Sequence, residues 1–359
     1  MSISRFRQIG SIPVVNQVVL WVFCAVATAA GPAPVGEMAS LHEEVSGRYH
    51  NIYVPKDYDP NKKYPLVISS HGTYGNAERG RQACESDFVR FLGRRLDDYP
   101  GAYNIPEKHD LILLCMFFES AQAISWEAGV ENDTAILLRL IDKLKVTYNI
   151  DPDAILLTGY SGGGHMMHYI GNRHPDLFRA LVGRKANFNK DNAKWINDEI
   201  GKGARHLPIF MFRGGPERPG KRWDCCYNDV GDAYEWYTAK GYKYVMMRTF
   251  PDEGHSPNRR DTAVEWFMDL IRHNPVARFE TKPGARANEV RFAPGKSHDP
   301  DGKIVRWHWE FGDGAESEER NPIHTYSGPG AYRVFLTIRD DSGREGSGQH
   351  VVEVTAGKD

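Results

Sequence analysis

The chain has 359 residues, with 45 basic and 47 acidic side chains and a net charge of −2. That length is enough for two domains with sizeable cores. The near balance of charge excludes a broad basic field of the kind that holds nucleic acid, and the composition excludes a disordered or fibrous chain.

The first thirty residues stand apart. Arg5 and Arg7 give a positive start, Val18 to Val26 is an uninterrupted apolar run, and Ala27-Thr28-Ala29 supplies small residues at cleavage spacing. This pattern predicts a secretory signal peptide over 1–30, and hence a secreted or periplasmic protein. The run is short for a spanning helix, so an uncleaved anchor is the weaker alternative. Export permits disulfides. Cys84, Cys115, Cys225 and Cys226 allow three connectivities. Cys115 lies in an apolar strand and reads as a buried thiol. The adjacent Cys225 and Cys226 cannot easily bond each other, which leaves one of them as a partner for Cys84. Their spacing does not resemble a zinc site.

Residues 31–46 read as a polar, unstructured lead-in. Strands are predicted at Arg48–Val54, Pro65–Ser70, Leu111–Phe117, Ala154–Thr158, Phe178–Val182, Pro208–Phe212 and Tyr244–Phe250. Between them, Phe88 to Leu96 is amphipathic. Ile136, Leu137, Leu140, Ile141, Leu144 and Tyr148 fall on one helical face, His165 to Ile170 reads as a helix, and Val264, Phe267, Met268 and Ile271 mark a closing helix. Strands alternating with helices predict an α/β fold with a mostly parallel sheet flanked by helices. After His273, Asn274-Pro275 breaks the chain where few contacts are expected to cross. Short strands at Val290–Phe292, Ile304–Trp309, Tyr332–Ile338 and Val351–Val354 then predict a small all-β sandwich. The expected division is 1–30 signal peptide, 31–273 catalytic domain and 274–359 sandwich.

Gly159-Tyr160-Ser161-Gly162-Gly163-Gly164 lies between a predicted strand and a predicted helix. Gly-x-Ser-x-Gly in that context is a nucleophile elbow, with the Ser161 hydroxyl raised above the sheet and helix amides aimed at developing negative charge. A serine hydroxyl needs a base within reach. His255 follows the last predicted strand and is the candidate. The candidate acid is Glu217, just past the strand ending at Phe212, with Asp224 on the same loop as the competitor. Thr73, after His71-Gly72, and Gly162 are the candidate donors to an oxyanion. Trp126 and Tyr160 are candidates for stacking on a sugar or aromatic acyl group, or for packing. His165 and His168 are three apart on the helix, where packing outweighs metal ligation. Neither a cofactor nor a metal is expected.

Nucleophile, acid and histidine follow in the order of an α/β-hydrolase. Tyr53-Val54-Pro55, Tyr64-Pro65-Leu66-Val67 leading into His71-Gly72, the elbow, His174-Pro175-Asp176-Leu177-Phe178 and Gly254-His255-Ser256 make residues 47–273 resemble the secreted esterase branch of that fold. The branch includes polyhydroxybutyrate depolymerases, feruloyl esterases and acetylxylan esterases. It more often carries Asp in a Gly-x-x-Asp pattern where this chain has Gly214-Gly215-Pro216-Glu217. Asp299-Pro300-Asp301-Gly302, Trp309-Glu310-Phe311-Gly312-Asp313-Gly314, His324-Thr325-Tyr326 and Pro329-Gly330-Ala331-Tyr332 resemble the PKD domain, an immunoglobulin-like sandwich, with Glu310 where its members usually have Asp. The resemblance implies a serine esterase acting on a polymeric or polymer-attached ester, with the PKD domain as spacer or glycan-binding module. A non-catalytic binding or adhesion protein and a serine peptidase on the same fold are the alternatives.

Overall fold

The computed structural model describes residues 32–73, 77–93, 103–119, 127–188, 194, 196, 198–217, 224–286 and 288–355. Eight strands form one sheet: β1 (Met38–Glu43), β2 (Arg48–Tyr53), β3 (Tyr64–Ser70), β4 (Ile112–Met116), β5 (Ile150–Ser161), β6 (Ala180–Ala186), β7 (Ile209–Arg213) and β8 (Val245–Thr249). Their order is β1-β2-β4-β3-β5-β6-β7-β8. β1–β2 and β2–β4 pair antiparallel, and every pairing from β4 to β8 is parallel.

Seven helices accompany the sheet among the described residues: α1 (Ala77–Phe91), α2 (Ile105–His109), α3 (Glu127–Thr147), α4 (Gly163–Arg173), α5 (Asp198–Ala204), α6 (Tyr227–Ala239) and α7 (Arg260–His273). The pleat sorts alternate strand residues onto two faces. On β3, Leu66 and Ile68 enter one core and Val67 the other; on β5, Ile155 and Leu157 part from Leu156 in the same way. The first core is closed by the apolar stripe of α3 together with α4 and α6, the second by α1 and α7.

Two expectations change here. The lead-in contains β1, whose inward residues are Ala39, Leu41 and Glu43. A buried glutamate hides the alternation in sequence. Its partner is Arg139, whose hydrogen bond holds the Glu43 carboxyl down at about 2 against the opposing effect of burial. The helix expected over Phe88–Leu96 is α1, which begins at Ala77 and ends at Phe91; Gly93 follows at φ 64°, and 94–96 lie outside the described residues. No helix among the described residues is long and apolar enough to cross a membrane.

Beyond α7 the strands are β9 (Glu280–Pro283), β10 (Glu289–Ala293), β11 (Ile304–Glu310), β12 (Glu316–Ser317), β13 (Ile323–Thr325), β14 (Gly330–Asp340) and β15 (Glu345–Val354). They form a three-stranded sheet, β13-β10-β9, and a four-stranded sheet, β12-β11-β14-β15. Between them lies a separate core around fully buried Trp309, whose indole N–H donates to the Glu319 carbonyl at 2.9 Å. More contacts cross to this sandwich than the Asn274-Pro275 break suggests. Arg179 Nη2 donates to the carbonyls of Asn274 and Pro275 at 3.1 and 3.0 Å, the His206 ring stacks on Phe335 at 4.2 Å, and the Tyr244 hydroxyl donates to Glu345 at 2.9 Å. Arg179, His206 and Tyr244 all sit where β6, β7 and β8 begin. The sandwich therefore rests at the end of the parallel strands opposite Ser161. A cleft of about 750 Å³ lined by Trp266, Arg278 and Gln349 runs between the two parts, away from the elbow.

Candidate active site

β5 runs into α4 through Ser161, which holds φ at 51°. A non-glycine residue in that region is strained and persists only where its surroundings force it. The turn is too tight for side chains on either side. A Cβ on Gly159 would come within 2.3 Å of the Gly163 carbonyl oxygen, and one on Gly163 within 2.4 Å of the His71 carbonyl oxygen. The Ser161 hydroxyl donates to Asn187 Oδ1 at 3.4 Å, a long bond that a turn of χ1 breaks at little cost.

The loop after β3 lies over this turn. A Cβ on Gly72 would meet Ser161 Oγ at 3.7 Å, and one on Gly162 would stand 3.0 Å from the Thr73 amide nitrogen. The two candidate oxyanion donors thus lie beside each other at the N-terminus of α4. His71 pins the loop. The Phe118 amide donates to its Nε2 at 3.3 Å, which leaves the ring proton on Nδ1 to be donated to the Gly72 carbonyl at 2.7 Å. Burial lowers the His71 pKa and keeps the ring neutral in this role.

His255 Nδ1 lies 2.8 Å from Asp224 Oδ1. The carboxylate that meets the histidine is therefore Asp224, and Glu217 is exposed on the turn after β7. The cause is the path of the backbone. Gly214-Gly215 packs against the 251–254 turn, with the Gly215 amide donating to the Glu253 carbonyl at 2.8 Å, and the Asp224 amide then returns to the Gly215 carbonyl at 3.0 Å. Residue 224 is thereby carried back beside the strand end. Asp224 is fully buried and also accepts from the amides of Gly214 (2.7 Å) and Cys226 (3.0 Å). Burial pushes its pKa up, but the His255 bond and these amides outweigh burial and hold the carboxyl below its ordinary value. An ionised, immobile acid of this kind fixes an imidazole tautomer with Nε2 free to accept a proton.

Tyr160 places His255 beside the elbow: the rings stack at 4.9 Å and 23°, and the tyrosine hydroxyl donates to the His255 carbonyl at 3.2 Å. That contact makes Tyr160 a support of the imidazole. Trp126 lies outside the described residues. His168 is fully buried, with Nδ1 2.7 Å from the Tyr237 hydroxyl, and His165 is buried on the same helix. Cys84 packs beside Cys115 in the second core, its Sγ 3.2 Å from the Cys115 carbonyl, and the four cysteines among the described residues are free. The pairing expected between Cys84 and the Cys225-Cys226 pair is absent, because Cys84 is enclosed beneath β4.

Two buried cations went unread in the sequence. Lys185, at φ 48°, donates to Glu253 at 3.0 Å and to the Gly254 carbonyl at 2.7 Å, fixing the loop that carries His255. Arg184 donates to Asp87 at 3.2 Å and Ser69 at 2.6 Å, while Asp87 also accepts from Asn258 at 2.9 Å and Arg260 at 2.6 Å. Burial raises the Asp87 pKa, but Arg184 and Arg260 overcome it and hold the carboxyl far below the usual range. This network ties α1, β3, β6 and the 255–260 loop together beneath the site. The only sequence signal for it was a run of charge, Arg184-Lys185, at the end of an apolar strand.

The PKD domain family matches residues 272–356, and the prolyl oligopeptidase family matches residues 128–205, the stretch carrying α3, β5, the elbow and α4. A microbial collagenase of Vibrio alginolyticus is 34% identical over 337 residues, 89% of this chain and 33% of that protein. A bifunctional acetylxylan esterase/xylanase of Neocallimastix patriciarum is 23% identical over 286 residues, 75% of this chain and 33% of that protein. The chain spans about a third of the length of each of these relatives. A CE1 ferulic acid esterase from Anaeromyces mucronatus superimposes on 66% of this chain and 89% of its own at 15% identity, with a TM-score of 0.46. Sheet order and the strand–elbow–helix unit give the first part of the chain the α/β-hydrolase fold, and residues 272–356 match the PKD domain family.

Proposed function

We propose that the chain is an exported serine carboxylesterase acting on esters of a polymer, with Ser161 as nucleophile, His255 as general base and Asp224 as the acid that orients it. The observation that carries this reading is the 2.8 Å bond between His255 Nδ1 and buried Asp224, beside a serine held at φ 51°. His255 Nε2 takes the proton as Ser161 Oγ attacks the ester carbonyl. The amides of Thr73 and Gly162 stabilise the oxyanion, and the imidazolium returns its proton to the leaving alcohol. Water then repeats the sequence on the acyl-enzyme.

The polymer-borne ester as substrate is supported by the PKD domain and by the relative named as an acetylxylan esterase/xylanase. Export rests on the 1–30 signal pattern, and the division into 31–273 and 274–359 on the composition shift and the separate sandwich core. The prolyl oligopeptidase match keeps one second reading, a serine peptidase on the same fold. The deciding experiment is turnover of p-nitrophenyl acetate by the wild type and Ser161→Ala. Loss on the order of 10³-fold or more in kcat is expected; near-full activity of Ser161→Ala sinks the mechanism, and no turnover by folded wild type favours a binding protein. Acetylated xylan, methyl ferulate, polyhydroxybutyrate and a proline-containing peptide anilide then separate the substrates.

A further inference from the structure

Two thiols stand next to the acid and base of the proposed mechanism, and that mechanism uses neither. Cys225 and Cys226 follow Asp224 directly, and their sulfurs are 3.9 Å apart. One ligand atom from each of Asp224, Cys225, Cys226 and His255 falls within a cluster no wider than 4.8 Å. A tetrahedral zinc-like ion with metal–sulfur bonds of about 2.3 Å holds two thiolates roughly 3.8 Å apart. The thiols are therefore already at chelating separation. A vicinal disulfide would instead have to close the gap to about 2.05 Å. Cys225 is exposed and gives an entry path, while Cys226 is buried.

We propose that Cys225, Cys226, His255 and Asp224 form a site for a thiophilic divalent cation of the zinc class, and that its occupancy switches the hydrolase off. The off-switch rests on the proposed roles of His255 and Asp224; the binding site does not. Each thiol gives up its proton to solvent as its sulfur–metal bond forms. The metal bond to His255 Nδ1 displaces the proton that this nitrogen donates to Asp224; the proton passes through solvent to Nε2, so the bond that orients the imidazole is lost and Nε2 no longer accepts a proton from Ser161. Soft sulfur donors select zinc or cadmium over magnesium and calcium. Removal of the ion restores the 2.8 Å pair and the activity with it.

The test uses the full chain with thiols reduced and the reductant removed, and Cd²⁺ as the probe. Thiolate-to-cadmium charge-transfer absorption should rise to one equivalent, p-nitrophenyl acetate hydrolysis should fall in parallel, and EDTA should reverse both. Cys225→Ser should weaken Cd²⁺ binding at least about tenfold while hydrolysis without the ion stays unchanged; because Cys225 is exposed, this variant avoids the folding risk of altering Cys226. Undiminished absorption in Cys225→Ser overturns the site. Stoichiometric absorption without inhibition of Ser161-dependent turnover overturns the switch, and so does a Cys225–Cys226 disulfide, seen by peptide mass, that survives mild reduction. In a chain without any turnover, the absorption titration of wild type and Cys225→Ser still decides whether the site exists, so failure of the esterase reading is told apart from failure of this one.

Discussion

The buried ammonium of Lys185 donates to the carbonyl of Gly254 at 2.7 Å, one residue before His255. The lysine is the residue of β6, at φ 48°, that the pairing of β5 with β6 skips between Tyr160 and Ser161. Strained backbone at Ser161 and at Lys185 beside it thus aims a cation at the loop that carries His255. Burial lowers the Lys185 pKa to about 8, with Asp224 acting in the opposite direction.

Lys185→Met should therefore lower kcat with little change in KM. It removes the tie on the Gly254 carbonyl and lets the imidazole drift, and a misplacement of about 1 Å costs on the order of 10² in rate. Steady-state kinetics on a soluble ester checks this. A rise in KM at constant kcat would move Lys185 from positioning the base to binding substrate.

Asp224→Asn should reduce kcat by on the order of 10⁴, because an amide stabilises the wrong imidazole tautomer and cannot balance the imidazolium. Glu217→Gln, at an exposed position, should change the rate by no more than about twofold. Kinetics of both variants with the same ester decides the matter, and a larger loss for Glu217→Gln would restore the assignment drawn from sequence.

The contrast between these two acids marks where sequence legibility ends. The elbow is readable because close backbone approach leaves glycine no substitute at 159 and 163, and strand–turn–helix is a local pattern. The strands are readable where alternation is apolar, as at Leu66-Val67-Ile68. β1 is not, because inward Glu43 satisfies itself on Arg139, 96 residues away. Spacing favours Glu217, but which carboxylate reaches His255 depends on how the chain returns through the Gly215 carbonyl to Asp224, a contact made in space. Arg184 and Lys185 go unread because their partners, Asp87 and Glu253, lie far off in the chain.

Stability should fall on acidification from pH 7 to pH 5 through the buried histidines. His168 has its pKa lowered to about 3 by burial, with His165 adding to the effect, and His50 is lowered to about 4, again chiefly by burial. The folded state then binds fewer protons than the unfolded state between these values and the ordinary 6.5 of histidine. Stability is full above pH 6.5 and is lost as pH falls, by about 2 kcal/mol per buried histidine from pH 7 to pH 5. Tyr237 accepts from Asn172 at 2.9 Å and so donates to His168 Nδ1, a nitrogen that the side-chain oxygen of asparagine can mimic as an acceptor. His168→Asn should accordingly show a pH 7 to pH 5 loss smaller by about 2 kcal/mol in urea denaturation. Equal losses in wild type and variant would assign the acid sensitivity elsewhere.

The sandwich lies against the starts of β6, β7 and β8, and the elbow at the end of β5 faces the opposite way. Chain 31–273 should therefore hydrolyse a small soluble ester with unchanged kcat/KM, since such a substrate has no remote part for the PKD domain to hold. Its stability should drop, however. Arg179, half-buried against the carbonyls of Asn274 and Pro275, loses both acceptors, and His206 loses its stack on Phe335. About 2–3 kcal/mol is expected, a lowering of Tm by roughly 5–10 °C. On a polymer the outcome differs: removing a polymer-binding module lowers the effective concentration of enzyme at the surface and slows only that reaction. Paired measurements of kcat/KM on p-nitrophenyl acetate, of release from insoluble polymer and of Tm separate these effects. A well-folded 31–273 chain that loses more than about tenfold on the small ester, or ~1.4 kcal/mol, would mean that contacts at the far end of the strands reach the site, overturning the remote role assigned to the sandwich.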